Sequence, residues 1–460
     1  MVKKALLPLL LSLILSACAG TDFKITKTGD KVVDPMALTL DGSKWGMAIN
    51  GKSFQQDALI SHNGYQYLAY YDARRNVCLS RRKFPAGPWE TIRFTDYLFE
   101  SNDAHNTISM GICPNDGTIH LAFDHHGHPL HYRVSRKGIA TTPETETWDT
   151  SLFSPVLAEL EKGKPIKITY PRFFKAPDGE LQFCYRRGGS GNGDRMLVDY
   201  DPGTGIWTNT RQIDSGKGEF EDDLGKSSTR CSYPNGYTYG PNGKLHVTWV
   251  WRETGSDPNH DLVYVYSEDR GKTWSNSLGQ ILDGPPGIKS PGITVVDIPR
   301  SLGLMNTHGQ AVDSKGRIHT VVWHCTEETL RAEGSKPGEH RWGLDSAHRY
   351  HHYWRDEEGS WQHHELPWVS GSRPKLFIDK TDNTYLVYEK EGNLEIAAAS
   401  SKSGYTDWRV AHIENGPFVN EMLGDLYRWK QEGILSVMVQ ESPENPNEPT
   451  PLHILDFHIE

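Results

Sequence analysis

One unit recurs along this chain and limits what it can fold into. A turn dipeptide, usually ending in glycine, is followed by an apolar and aromatic run. Asn63-Gly64 precedes YQYLAYY, Asp116-Gly117 precedes TIHLAF and Asp178-Gly179 precedes ELQFCY. Asn242-Gly243 precedes KLHVTWVW and Lys315-Gly316 precedes RIHTVVW. The last two copies are Asp382-Asn383 before TYLVY and Glu432-Gly433 before ILSVMV, and the spacings run from 50 to 73 residues. Asn-Gly and Asp-Gly favour tight hairpins, because both turn positions need positive φ. Another apolar stretch precedes each turn, as at 107–112 and 172–175. Ser267-Glu-Asp-Arg-Gly-Lys-Thr-Trp274 adds an Asp-box, with weaker echoes at 354–361 and 401–408. Repeats of this length signal radial architectures. Seven copies of about four strands predict an all-β, seven-bladed β-propeller of four-stranded antiparallel blades. The alternative is a pair of β-sandwiches, whose strands would recur every 8–12 residues without the longer period.

The first residues read as an address. Lys3 and Lys4 precede an apolar run from Ala5 to Ala17, which is short for a permanent span and suits a signal peptide. Leu15-Ser16-Ala17-Cys18 resembles a bacterial lipobox. The expected organisation is a lipoprotein signal peptide over 1–17, an anchor or linker over 18–39 and one propeller over 40–460. Lipid on Cys18 would hold the chain at the membrane of the cell envelope. With no aspartate after Cys18, the outer membrane or cell surface is the expected site. Cys78, Cys113, Cys184, Cys231 and Cys325 are odd in number and scattered, which excludes a disulfide framework. The net charge of −10 argues against nucleic acid and other polyanions bound by bulk charge. An anionic ligand needs local cations, and two runs supply them: Arg74 to Lys83, and Lys162 to Arg187. The plainer alternative for each is a solvated face.

The histidine-rich stretch 123–132, FDHHGHPLHY, takes its meaning from the repeat. His105 lies 12 residues before Gly117, and His125 lies 8 after it. Tyr170 and Arg186 flank Gly179 in the same way, and His308 and Cys325 flank Gly316. All sit at the open ends of hairpins, so one rim of the ring should collect them. Polar groups repeated at one rim suit a site grafted on a scaffold, although rim loops are polar in any case. His246 differs. It follows Gly243 by three residues, as His120 follows Gly117 and His319 follows Gly316, which reads as strand structure.

Asp103-Ala-His-Asn106 and the run from Asp116 to His126 resemble propeller-type (Asp-box) polysaccharide lyases that degrade ulvan. Tyr170-Pro-Arg-Phe173, the run from Tyr185 to Gly193, and Lys244 to Trp249 extend the likeness, which covers about residues 40 to 455. The resemblance implies β-elimination at a uronate of a sulfated algal polysaccharide, with no cofactor in catalysis. It implies His105 and Tyr170 as the acid–base pair, order open. It implies His125, Arg186 and His246 as substrate-binding, overriding the structural reading of His246. That chemistry needs a base for the C5 proton, an acid for the leaving oxygen and a cation for the carboxylate. His126, His128 and His131 are left as loop and strand residues.

Two further readings stay open. His308, Cys325, His340 and His348 would make a closed structural zinc site; the alternative is loop residues around a buried thiol. The activity could instead be that of a sialidase-like hydrolase, with Glu219, Glu221, Asp222 and Asp223 as carboxylate donors, or of a non-catalytic glycan-binding surface propeller. The chain is expected to work as a monomer.

Overall fold

The computed structural model describes residues 23–460, apart from 43–44, 53–56, 223, 254–257 and 339–345. Seven antiparallel sheets follow one another around a ring, giving the seven-bladed β-propeller that the repeat predicts. The first blade runs Leu59–His62, Tyr65–Tyr71, Asn76–Lys83 and Glu90–Leu98. The second has Ile108–Cys113, Thr118–Phe123 and Tyr132–Val134. Its outer position is taken by residues 150–157, bridged at Ser135–Phe153 and Tyr132–Leu157. The third has Lys167–Lys175, Leu181–Arg187, Asp194–Asp201 and Ile206–Gln212. The fourth begins at Cys231–Tyr239, the fifth at Gly309–Val312 and the sixth at Lys375–Ile378.

The repeated run after each turn is the second strand of its blade. Tyr65–Tyr71 and Thr118–Phe123 are buried at every position. Neighbouring blades cover both faces of such a strand, so it carries apolar residues continuously instead of alternating. Small residues let the blades approach. A Cβ on Gly111 would lie 2.6 Å from Phe173 Cβ in the third blade. Gly111→Ala should therefore cost about 1–3 kcal/mol of stability by overpacking, seen as a lower melting temperature. The Asp-box also forms its turn: Asp269 accepts backbone N–H groups from Lys272 and Thr273 at 3.1 and 2.8 Å.

The last blade corrects one expected boundary. Ile25–Ala37 pairs antiparallel with Thr450–Ile459, from Ile25↔Ile459 to Ala37↔Thr450, with register shifts at Lys27/Gly29, Val32/Asp34 and Asp34/Ala37. Most of the stretch expected to be a linker is thus the outer strand of a blade built mainly from the C-terminal end. The ring closes by joining the two ends of the chain. Cys18 and the leader lie outside the described residues.

Candidate active site

The site lies at the rim where the second and third blades meet. Three backbone features build it. The loop before Ile108–Cys113 carries Asp103 and His105; His105 N–H donates to Asp103 Oδ1 at 3.0 Å, closing a tight side-chain turn. After Phe123 the chain turns through Asp124 and Gly127, both at positive φ. It then pairs His126 opposite Thr169, as a short strand on the edge of the third blade. That crossing brings His126 to the third blade. Tyr170 sits in a bulge, because the register with Leu181–Arg187 shifts between Thr169 and Arg172. Its φ is 53°. A left-handed tyrosine costs roughly 1–2 kcal/mol, and bulges commonly re-aim a side chain this way. Ser109 of the second blade donates to the Pro171 carbonyl at 2.5 Å and fixes the bulge.

These features converge on Asp103. His105 Nδ1 donates to Asp103 Oδ1 at 2.5 Å, and His126 Nδ1 donates to Oδ2 at 2.7 Å. The two imidazoles stack, centroids 4.4 Å apart. Tyr170 Oη lies 3.4 Å from His126 Nε2, and the Tyr170 ring is 6.0 Å from that of His105. Beneath them Arg186 is only 2% exposed and is held between two aromatic rings. Its Cζ is 5.1 Å from the Tyr170 centroid and 4.4 Å from that of Tyr233. Arg186 Nη2 donates to the Ser232 carbonyl at 2.6 Å, while Nε and Nη1 have no protein acceptor among the described residues. Arg252 donates to the Tyr233 hydroxyl at 3.0 Å. Trp45, largely exposed, stands edge-on to His105 at 5.1 Å.

The electrostatics separate the groups. Burial pushes the Asp103 carboxyl up, but the hydrogen bonds from His105 and His126 prevail and hold it well below the usual range. It is ionised and fixes both Nδ1 protons. Burial lowers His105, and the Asp103 hydrogen bond only partly opposes this. His105 is therefore neutral at pH 7. Burial raises Tyr170, Tyr233 adds to the rise, and Arg186 and Arg252 oppose it. Tyr170 at rest is protonated. A neutral imidazole beside a protonated phenol is a base beside an acid.

Of the sequence candidates, His105, Tyr170 and Arg186 come together here. His125 does not. It is 1% exposed, stacks on His131 at 5.5 Å and accepts the His131 backbone N–H at Nε2, so it is a core residue. Adjacent residues on an extended chain face opposite ways, and the chain crossing presents His126 instead. His246 is also elsewhere. Its Nδ1 meets Tyr264 Oη at 2.8 Å near the turn end of the fourth blade, the end opposite the site. The strand reading of His246 thus matches its placement. His308 accepts the Trp323 N–H at Nε2 and lines the ring axis with Lys375, while Cys325 packs with Leu330 and Ala347. Among the described residues, His308, Cys325 and His348 do not form a three-ligand cluster, and His340 lies outside them. The acidic run gives no catalytic pair: Asp222 binds Arg300, Glu221 pairs with Lys226 at 2.9 Å, and Asp223 lies outside the described residues.

Sequence reasoning missed Asp103, His126 and Tyr233. The hairpin frame held a signal for Tyr233, which lies 10 residues before Gly243 as Tyr170 lies 9 before Gly179. Asp103 showed itself only as the acidic neighbour of His105.

A ring of hairpin blades with an imidazole–carboxylate–phenol cluster at one rim defines a propeller with an acid–base site. The chain belongs to the BNR repeat-containing family, which it matches over residues 65–368. It is similar to the long isoform of an ulvan lyase from Pseudoalteromonas sp. (strain PLSV), 26% identical over 58% of this chain and 31% of that protein. It thus spans about a third of the length of that relative. A short isoform from Alteromonas sp. (strain LOR) is 23% identical over 88% of this chain and 90% of the relative. Among solved structures, polysaccharide lyase Uly1 superposes with a TM-score of 0.74 at 18% identity, covering 94% of this chain and 99% of that one. A PL25 ulvan lyase bound to -[GlcA(1-4)Rha3S]- gives 0.65 at 13% identity, covering 92% and 95%. These two likenesses carry the fold.

Proposed function

We propose that the protein is a polysaccharide lyase that cleaves ulvan by β-elimination at the uronate. One observation carries this reading: Asp103 holds two imidazoles by their Nδ1 protons beside the Tyr170 hydroxyl, over a buried guanidinium. The relatives named as ulvan lyases support the substrate.

In this mechanism His105 takes the C5 proton of the uronate through Nε2. Asp103 fixes the tautomer and stabilises the imidazolium that forms. Tyr170 donates its proton to the leaving O4. The bond from C4 to O4 breaks as the C4=C5 double bond forms. His126 Nε2, in reach of Tyr170 Oη, relays a proton from solvent to the tyrosinate, and the His105 imidazolium releases the C5 proton to solvent, which restores the site. Arg186 supplies positive charge under both Tyr170 and the substrate carboxylate. A charge placed where anion develops is worth more in a site that excludes water. Arg186 is too buried to meet the carboxylate unless Tyr170 or Tyr233 turns, so its first effect is on the tyrosines.

The test is incubation with ulvan, followed by ultraviolet absorbance and chain length. Shorter chains with the absorbance of a conjugated unsaturated uronate support the lyase. New reducing ends without that absorbance would mean a hydrolase. Binding without shortening would mean a glycan-binding propeller.

We further propose lipid attachment at Cys18, in the outer membrane, and a structural zinc; of the expected ligands His308, Cys325, His340 and His348 we keep the last three, because His308 lines the ring axis. Mass analysis of the mature N-terminus tests the first. Metal analysis of protein purified without chelators tests the second, and absence of zinc rules it out.

A further inference from the structure

The ring axis below the active site contains a small cavity of about 40 Å³, walled by Asp57, Arg172, Asn235, His308, Gln310 and Lys375 among others. This is room for an ion with a water or two. Its polar groups do not balance. The Lys375 ammonium has no hydrogen-bond or ion-pair partner among the described residues. Arg172 Nε lacks a hydrogen bond, and the nearest Asp57 oxygen is 3.8 Å away, at the far limit of an ion pair. Glu421, which acts on Lys375 more strongly than Asp57 does, is already gripped by Arg373 at 2.6 and 3.0 Å. Asn235 Oδ1 and Gln310 Oε1 already accept backbone N–H groups from His308 and Thr248. Two cations therefore face one carboxylate.

His308 adds a third donor. It is 1% exposed, and its Nε2 accepts the Trp323 backbone N–H at 3.2 Å. A neutral imidazole that accepts at Nε2 carries its proton on Nδ1. That Nδ1 is buried without a partner. An unsatisfied buried donor costs about 1–3 kcal/mol, and an unbalanced buried charge costs more. Water can satisfy the donors but leaves the charge.

We propose that this axial cavity is a binding site for one small inorganic anion of the halide class, held by Lys375, Arg172 and the Nδ1–H of His308. The anion brings the local charge to zero and supplies the acceptor all three donors lack. The three donors come from the third blade, which bears Arg172, and from the fifth and sixth, which begin near His308 and Lys375. The anion is a pin through the ring. It is also two residues from Tyr170 through Arg172.

The experiment is thermal unfolding of the full chain in sodium chloride against sodium gluconate at equal ionic strength, with crystals soaked in bromide. Gluconate is too large for the cavity. Chloride at a hundredfold excess over its dissociation constant should raise the melting temperature by about 3 °C. Lys375→Met, which keeps the apolar stem, should lose that rise. Bromide should give an anomalous peak in the cavity, next to Lys375 Nζ. Equal melting in the two salts, or an equal chloride response in Lys375→Met, overturns the proposal. So does a bromide-soaked crystal with water alone in the cavity. The crystal result stands whether or not the variant folds.

Discussion

Two groups of histidines in this molecule look alike in sequence and differ in every physical respect. At the rim, His105 and His126 are half-buried, stacked at 4.4 Å and tied through Nδ1 to an ionised carboxylate. In the fifth blade, His324 and His351 stack at 3.6 Å and 9°, and His363 continues the column at 5.2 Å. The column has neutral partners. His324 donates Nδ1–H to the Cys325 carbonyl and accepts at Nε2 from Tyr353. His351 donates Nε2–H to the His324 carbonyl and accepts at Nδ1 from His363. Every nitrogen of His324 and His351 is thus used up within the protein. The rim pair instead uses the carboxylate to fix one proton on each ring. An imidazole becomes chemistry when a carboxylate orients it at a surface, and becomes structure when neutral groups satisfy it inside.

The largest effects should fall on the rim. Tyr170→Phe removes one hydroxyl, and His105→Asn keeps a polar group that cannot titrate near neutral pH. Each should lower the turnover of ulvan at least about a hundredfold, the usual scale for general acid–base catalysis. Because the two would act together, the double variant should be little worse than either single one. Near-full activity in Tyr170→Phe would break the assignment of the acid. His105 sits below its ordinary value, so the rate should climb as pH rises through the region below 6.5, then level off.

Asp103→Asn sharpens the comparison, because it turns the rim pair into imidazoles with a neutral partner, like those of the column. Asp103 raises His105 against the effect of burial. Without it the acid limb should move to lower pH, and the plateau rate should fall about tenfold or more, ~1.4 kcal/mol of barrier. A purely structural role for Asp103 would lower stability and leave the limb in place. The pH–rate profile separates the two.

The column should respond in stability and not in rate. His351→Leu leaves the His324 carbonyl and His363 without partners, which should cost about 1–3 kcal/mol. Denaturant unfolding reads that loss, and turnover of the folded variant should be unchanged. Burial takes His324 down to about 4 and moves His351 the same way. The unfolded chain then binds more protons than the folded one below pH 6.5. Stability is full above that value and is lost as pH falls from about 6.5 towards 4. His351→Leu should flatten part of that acid slope, whereas His105→Asn should change it less.

The ring was readable because its signal is repetitive: seven turns each precede a strand buried on both faces. Tyr170 and Arg186 were readable for the same reason, since they share one hairpin frame. The choice between His125 and His126 was not. It depends on how the chain leaves the second blade at Asp124 and Gly127 and on a pairing with Thr169, more than 40 residues further on. The outer strand Ile25–Ala37 was hidden for a similar reason, because its partner lies at the other end of the chain. Long-range pairing leaves little trace in local pattern. His246 shows the opposite case: the frame marked it as a strand residue, and only the family resemblance drew it into the substrate site.

His246 gives the smallest expected effect and so the finest test of the comparison. It is a column-type histidine placed at the turn end of its blade. Its Nδ1 meets Tyr264, its ring stacks on Tyr264 at 5.9 Å, and burial lowers it to about 3. It lies about six residues of strand from the level of Arg252, roughly 20 Å at 3.3 Å per residue. His246→Gln keeps a polar group that can still meet the Tyr264 hydroxyl. Turnover of ulvan should stay within about twofold, less than 0.5 kcal/mol of barrier. Stability should fall modestly, because a flat ring is lost from the stack. A hundredfold loss of rate, with the melting temperature unchanged, would mean that substrate reaches the turn end of the fourth blade. Burial and partners would then no longer suffice to tell a chemical histidine from a structural one in this ring.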